Sequence, residues 1–315
     1  YGIYFSKPGN GICHQVNTER FARPGKILVG ADSHTPTAGS VGCFAIGAGG
    51  IDVSLTLAGK PFELAKPIVT GVHLTGTLKP WVSGKDVILE MLRRYRVKGG
   101  LGRVYEFKGP GVKTLSVFAR ATICNMIAEL GATTGIFPSD ENTLEFFKLQ
   151  DRENHWVELK ADDDAEYDDE IEINLSDIEP LIACPSNPDN VVPVREVEGT
   201  KVYQVCIGSS VNSWYPDLAI PAYILKGKRI AKHMVMTVSP GSRQILDTIS
   251  KSGVLTDLIQ AGARILEPAC GPCVGMGQAP AENLPSVRTF NRNFAGRSGT
   301  RNDKVYLASP ATAGA

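Results

Sequence analysis

Two cysteines, Cys270 and Cys273, flank a Gly-Pro pair in the stretch ACGPCVGMG. That spacing serves three chemistries: a dithiol redox switch, half of a zinc site, or part of an iron–sulfur site. A redox pair opens a helix whose N-terminus lowers the thiol pKa, and Gly275 and Gly277 oppose a helix here. Structural zinc wants a second pair or clustered histidines, whereas His14, His34, His73, His155 and His233 are scattered. A cluster held by two neighbouring thiolates and a distant third ligand is the remaining reading. Spacing alone does not establish it, because clusters usually take three or four cysteines.

Other chemistry-bearing residues lie far away in the chain. GADSHT places Asp32, Ser33 and His34 in a polar loop after a short strand over residues 26–29, read as buried. ARATICNMIAELGA predicts an amphipathic helix with Ile123, Met126, Ile127 and Leu130 on one face. Asn125 and Glu129, four apart, share the opposite face, which taken alone reads as solvated. NRNFAGR carries Arg292 and Arg297. By itself Arg297 reads as a surface charge, and His14 as a buried, hydrogen-bonded histidine.

These groups need elements to position them. SGKDVILEMLRRY predicts a helix capped by Ser83, with Asp86 three residues on and an apolar stripe of Val87, Ile88, Met91, Leu92 and Tyr95. The glycine-rich AGSVGCFAIGAGG suits close backbone packing. The acidic run over residues 161–170 lacks calcium-ligand spacing and reads as a solvated loop. In the last third, KVYQVCIGS, HMVMTVS and RILEP read as strands. SGVLTDLIQAGA reads as a helix, and another starts near Trp214 with Pro221 as a potential disturbance. Strand–loop–helix alternation implies α/β architecture with mainly parallel sheets and ligand loops at strand ends. The proline-rich EPLIACPSNPDNVVP reads as an interdomain linker.

The 315 residues suffice for two or three cores, and 43% hydrophobic with 21% charged residues is ordinary for a globular protein. Thirty-three basic residues balance 33 acidic ones. A neutral chain without a basic stripe lacks the field of a nucleic-acid binder. No apolar run has the length of a membrane span. Seven cysteines make no disulfide framework in a chain this long, so a reducing compartment, the cytoplasm, is expected.

Four stretches together resemble the aconitase family, which includes aconitases, isopropylmalate isomerases and homoaconitases. GADSHTPTAGSVG resembles the family's Asp-Ser-His loop, ATICNMIAELGATTGIFPSD its Asn/Glu helix, EPACGPCVGM its second cysteine motif and NRNFAGR its arginine motif. They follow the family's order and cover nearly the whole chain. The resemblance implies three-layer α/β domains with mainly parallel sheets. The expected division is residues 1–66, 67–178 and 179–315, with the start of the first domain and the swivelling domain expected outside this chain. A separate swivelling-domain chain or a C-terminal domain is the implied protein partner.

The resemblance also implies a hydro-lyase that interconverts citrate and isocitrate at a [4Fe-4S] cluster, within the tricarboxylic acid cycle. Isopropylmalate, homocitrate or another hydroxy acid is the alternative substrate. By resemblance, Cys270 and Cys273 are cluster ligands, and Asn125 and Asn291 support the cluster. His14, Asp32, His34 and Glu129 form two carboxylate–imidazole pairs for proton transfer. Ser33, Arg292 and Arg297, with Asp32 and His34, contact substrate. One position departs from the pattern: IGSSVNS places Ser210 where the family's first cluster cysteine is expected, and a hydroxyl is a harder, less acidic donor than a thiol. Ser210 could ligate as an alkoxide. Cys206, four residues back, could replace it only by a shift of the strand. A chain without a cluster would bind another metal, be inactive, or bind RNA as relatives do after losing theirs; a dithiol switch at Cys270 and Cys273 is a further reading. Retention of some cluster is the expectation.

Overall fold

The computed structural model describes residues 2–315, which form two compact units: residues 17–179, and residues 2–16 together with 180–315. Helix α1, Cys13–Arg20, spans the passage from one to the other.

In residues 17–179, β1 (Ile27–Gly30) and β2 (Phe44–Gly47) pair in parallel. The β1 strand, expected to be buried, is half-exposed, with Ile27 at 73% exposure, because only β2 pairs with it. Helix α2 (Gly50–Leu57) follows. Then β3 (Ile68–Thr75), α3 (Gly84–Tyr95), β4 (Arg103–Lys108), α4 (Val117–Met126), β5 (Thr134–Ile136), α5 (Glu141–Leu149) and β6 (Asp169–Asn174) build an all-parallel sheet of order β5-β4-β3-β6.

Helix α3 starts as its sequence predicts. Ser83 accepts from the Lys85 amide, and the Asp86 carboxylate accepts from the Ser83 amide, which together satisfy two of the helix's unpaired donors. Val87, Ile88, Met91 and Leu92 are fully buried. Gly39, in the small-residue stretch, lies so close to the backbone of β5 that a Cβ would sit 1.9 Å from the Gly135 carbonyl oxygen, and only glycine fits. Arg152 donates to the carbonyls of Thr18, Glu19 and Ala22 and so terminates α1. Burial pushes its guanidinium down to about 10, with the Arg23 charge adding to the effect.

The second unit holds β7 (Leu181–Ala183), β8 (Val191–Pro193), β9 (Gln204–Gly208), α6 (Tyr215–Leu225), β10 (Val235–Ser239), α7 (Arg243–Lys251), α8 (Val254–Ala261), β11 (Arg264–Ile265), β12 (Pro285–Arg288), β13 (Lys304–Ala308) and α9 (Pro310–Gly314). They form a seven-stranded sheet of order β11-β10-β9-β12-β13-β7-β8. The first five strands are parallel, and β7 and β8 add an antiparallel edge. The proline-rich stretch expected to be a linker is that edge: prolines are tolerated there because an edge strand leaves amide positions unpaired. Pro221 sits inside α6 without ending it. Residues 2–16 join this unit through hydrogen bonds from the Ile12 amide to the Gly241 carbonyl (2.9 Å) and from the Arg243 amide to the Asn10 carbonyl (3.0 Å).

Candidate functional site

The strand order of the seven-stranded sheet reverses between β9 and β12. In open parallel sheets, ligands bind at the carboxyl ends of strands at such a switch point. The loops leaving β9, β12 and β11 from that edge carry Ser210, Asn291 to Arg297, and the two cysteines, respectively. Within this unit the sequence-predicted residues come together. The Gly208 amide donates to Thr289 Oγ1 (2.9 Å), which stitches the β9 and β12 loops. The Ser209 hydroxyl donates to the Ala269 carbonyl (3.4 Å), which ties the serine loop to the cysteine turn. Ser209 and Asn212, non-glycines at φ 65° and 53°, mark the serine loop as backbone held by its surroundings.

The cysteine turn is a single 3₁₀ turn, Gly271–Val274, ended by Gly275 at φ 83°. The redox helix is therefore absent from this segment, as the glycines implied. Gly275 packs against the arginine-motif loop, where a Cβ would lie 2.3 Å from the Ser298 carbonyl oxygen. Cys273 is buried, and its thiol is 3.6 Å from Asn291 Oδ1 and 3.9 Å from Arg297 Nη2. Cys270 is exposed, Arg292 half-buried. Arg297 is thus placed by a sulfur rather than on an indifferent surface. His14, 4% exposed, hydrogen-bonds through Nε2 to the Ser210 carbonyl (2.6 Å). A carbonyl only accepts, so Nε2 carries the proton. Cys206 stays in the centre of the sheet, fully buried; burial pushes its thiol up, partly offset by the Arg288 charge and the Thr237 hydroxyl. It offers no thiolate to the loop beyond β9.

Residues 17–179 hold the second constellation. His34 Nε2 lies 2.8 Å from Glu129 Oε1, both groups buried. On its other side Nδ1 is 3.2 Å from the Ser33 hydroxyl and 3.7 Å from Asp32 Oδ1, and Asp32 also accepts from the His34 amide (2.8 Å). Glu129 is the partner of Nε2 and the Ser33 hydroxyl the partner of Nδ1, so both ring nitrogens of His34 are engaged. The solvated reading of Asn125 and Glu129 is overturned: they are 1% and 5% exposed. Helix α4 ends at Met126, and a 3₁₀ turn, Ile127–Leu130, carries Glu129 away from the helical register. Asn125 donates to Thr37 Oγ1 (2.9 Å), whose hydroxyl donates to the His34 carbonyl (2.6 Å). Thr37 and the buried Lys85, whose Nζ lies 3.1 Å from Met126 Sδ, had no sequence signal beyond their neighbours' motifs.

The aconitase family model (aconitate hydratase) matches residues 1–200 and 195–315. The "3-isopropylmalate dehydratase large subunit 2" of Archaeoglobus fulgidus is 42% identical over 315 residues, covering 100% of this chain and 76% of that protein. The "3-isopropylmalate dehydratase large subunit 1" of Methanopyrus kandleri is 44% identical over 316 residues (99% and 75%). The mitochondrial aconitate hydratase of Saccharomyces cerevisiae is 39% identical over 334 residues, covering 98% of this chain but 43% of the relative. Among solved structures, the holo-form of Thermococcus kodakaraensis aconitase X shares the fold at a TM-score of 0.52 and 12% identity, over 91% of this chain and 67% of that one. The chain belongs to the aconitase family, a family of hydro-lyases.

The residues present offer the family's iron–sulfur group a mixed donor set. Two soft donors sit on one turn, Cys270 and Cys273. Beside Cys273 the buried Nε of Arg297 has no hydrogen-bond partner among the described residues, which suits an anionic neighbour. Ser210 supplies oxygen in place of the third sulfur. The set fits an anionic, sulfur-ligated group at two positions and a weaker, harder donor at the third.

Proposed function

We propose that the chain catalyses reversible dehydration and rehydration of a small hydroxy acid bearing at least two carboxylates. Substrates of the 3-isopropylmalate class are the first candidates, because the two dehydratase large subunits above match essentially the whole chain at 42% and 44% identity. Citrate and isocitrate, favoured by the sequence motifs, are the second. The observation that carries the reaction type is the buried His34–Glu129 pair with Ser33 at the remaining ring nitrogen.

Glu129 holds the proton of Nε2 and fixes the imidazole, so that Nδ1 exchanges a proton with the hydroxyl side of the substrate. Arg297 and Arg292 bind substrate carboxylates through their planar donor forks. Asn291 and Asn125 hold the cysteine and histidine loops in place. Cys270, Cys273 and Ser210 would hold the iron–sulfur group, which when bound supplies a Lewis-acidic iron. His14 and Asp32 act as a second proton-handling set. A small-subunit or swivelling-domain partner completes the enzyme in this reading, and residues 1–66, 67–178 and 179–315 act as its three domains. The cytoplasm, or another reducing compartment, is the proposed location, because ligand thiols must stay reduced.

The test is anaerobic reconstitution with iron and sulfide, then a panel of 3-isopropylmalate, citrate, isocitrate and homocitrate with and without a candidate small subunit. Iron and sulfide uptake that depends on Cys270 and Cys273, with turnover of one hydroxy acid, supports the proposal. A chain that takes up no iron, or that turns over none of the acids when loaded and partnered, rejects it.

A further inference from the structure

Arg288 is completely buried at the end of β12, next to the turn that carries the cysteines. Its Nη1 donates to the Pro272 carbonyl (2.9 Å), in the middle of that turn. Nε donates to the Ser286 hydroxyl (3.1 Å) and Nη2 to Gln204 Oε1 (2.8 Å). The register explains the meeting: Ser286 and Arg288 are two apart on one face of β12, and Gln204 of β9 stands opposite Ser286. Gln204 Oε1 also accepts from Ser286 (2.7 Å), while Gln204 Nε2 donates to the Ala279 carbonyl (2.8 Å). The network therefore fastens the cysteine segment to the sheet at two carbonyls, Pro272 and Ala279. Phe290 flanks the guanidinium at 5.2 Å.

The acceptors around Arg288 are a hydroxyl, an amide oxygen and a carbonyl, none of them charged. Burying a guanidinium is costly where a neutral residue would fill the same volume, and the feature this one organises is the turn. We propose that Arg288 is a positioning residue for the cysteine turn: oriented by Gln204 and Ser286, it holds the Pro272 carbonyl so that the Cys270 and Cys273 sulfurs are set for a metal before one arrives. The inference rests on the reading of those cysteines as metal ligands, and goes beyond it by assigning the residue that shapes their turn. Its neighbours see the same charge. Asp303 is pushed up by burial, and the amides of Gly296 and Ser298 and the Arg288 charge pull it back.

The experiment uses the full chain, free of metal, as wild type, R288M, R288K and Q204L. Amide hydrogen exchange is followed by mass spectrometry, and cobalt(II) alone is titrated while the thiolate-to-cobalt absorption is read. Methionine keeps the volume and removes every donor; lysine keeps the charge but cannot reach all three acceptors. Losing a hydrogen bond from a charged donor speeds local opening about tenfold or more. R288M is expected to accelerate exchange at the amides of Gly271 and residues 273–276 by that factor, with residues 17–179 unchanged. It should also weaken cobalt(II) binding about tenfold, with the absorption at saturation retained, as for loss of other groups that orient ligands. R288K should fall between wild type and R288M, and Q204L should resemble R288K. If R288M loosens residues 180–315 as a whole, R288K and Q204L decide by the same readings. Exchange and cobalt affinity at wild-type levels in R288K and Q204L overturn the proposal, since a side chain that only fills the core would give that result. A wild-type chain without thiolate absorption, checked against a Cys270→Ala, Cys273→Ala double variant, overturns the metal-site reading instead. The exchange result is then the separate record of whether Arg288 shapes the turn.

Discussion

At the scale of single residues, the His34–Glu129 pair and Ser210 carry the sharpest consequences. Glu129→Gln keeps the shape and leaves an amide oxygen for the Nε2 proton, but removes the charge that stabilises a protonated ring. A loss of about 10²-fold in kcat with little change in KM is expected, read by steady-state kinetics on the reconstituted enzyme. Ser210→Cys restores a soft donor beside the cysteine turn. Iron and sulfide per chain after reconstitution should rise and survive exposure to air longer than in wild type. Equal metal content in the two would mean that the third donor comes from elsewhere. These residues were legible unequally. The two sulfurs and the arginines became legible only through the joint resemblance of their motifs to a family, and Cys273 and Arg297 do meet within one unit. The burial of Glu129 was not legible from periodicity, because a helix wheel assumes a continuous helix and α4 stops at Met126; that of Asn125, inside α4, comes from the distant segment of Thr37, to which it donates. Arg288 was missed for a related reason: an arginine in a four-residue strand reads as solvent-facing unless its polar partners on the neighbouring strand are known.

At the scale of elements, the support of α4 and α5 rests on one buried cation. Arg120, fully buried in α4, donates to both carboxylate oxygens of Asp140, the N-cap of α5, and to the Val112, Leu115 and Pro138 carbonyls. Burial acts to raise the Asp140 carboxyl, but the Arg120 hydrogen bonds and charge, with the Thr143 amide and hydroxyl, outweigh it and hold the group below its ordinary 3.8. A carboxyl lowered on folding adds stability that is complete above the unfolded value. That stability is lost as pH falls below 3.8 through the folded value. Arg120→Met should destabilise residues 17–179 by about 3–5 kcal/mol, since a buried partner is left uncompensated. It should also erase this part of the acid limb, so that denaturant midpoints measured near pH 7 and near the carboxylate range differ less than in wild type. Helices α3, α4, α6 and α8 and strands β1, β9, β10 and β11 were readable from apolar patterning, and Ser83 with Asp86 gave the cap of α3, whereas the sheet of β3 to β6 was not read from the sequence. The proline-rich edge strands were not, because the signals for linker and edge strand are the same residues, and only the pairing of β7 with β13 tells them apart.

At the scale of the whole molecule, chain order and compact units disagree, and that disagreement is testable. Residues 2–16 belong with 180–315, although 163 residues of the other unit, 17 to 179, intervene. Composition and local motifs carry no trace of this, because nothing local in the first sixteen residues specifies a partner so far along the chain. The attachment is made by Ile12 and Val16, each 4% exposed, by the backbone pairing of residues 10 and 12 with the 241–243 segment, and by His14 on the Ser210 carbonyl. Ile12→Ala deletes a buried side chain and should cost about 2–5 kcal/mol. If the assignment to units is right, that loss falls on the distant unit. Exchange at the Gly241 and Arg243 amides and in the Ser209–Ser213 loop should accelerate together, while the sheet of β3 to β6 keeps its protection. Acceleration confined to residues 1–20, with the 241–243 segment unchanged, would show instead that the first residues merely lie against that unit. The serine loop would then owe its strained geometry to the sheet alone. The distinction bears on the reaction, because His14 can hold a defined tautomer only while its segment is anchored to the loop that carries Ser210.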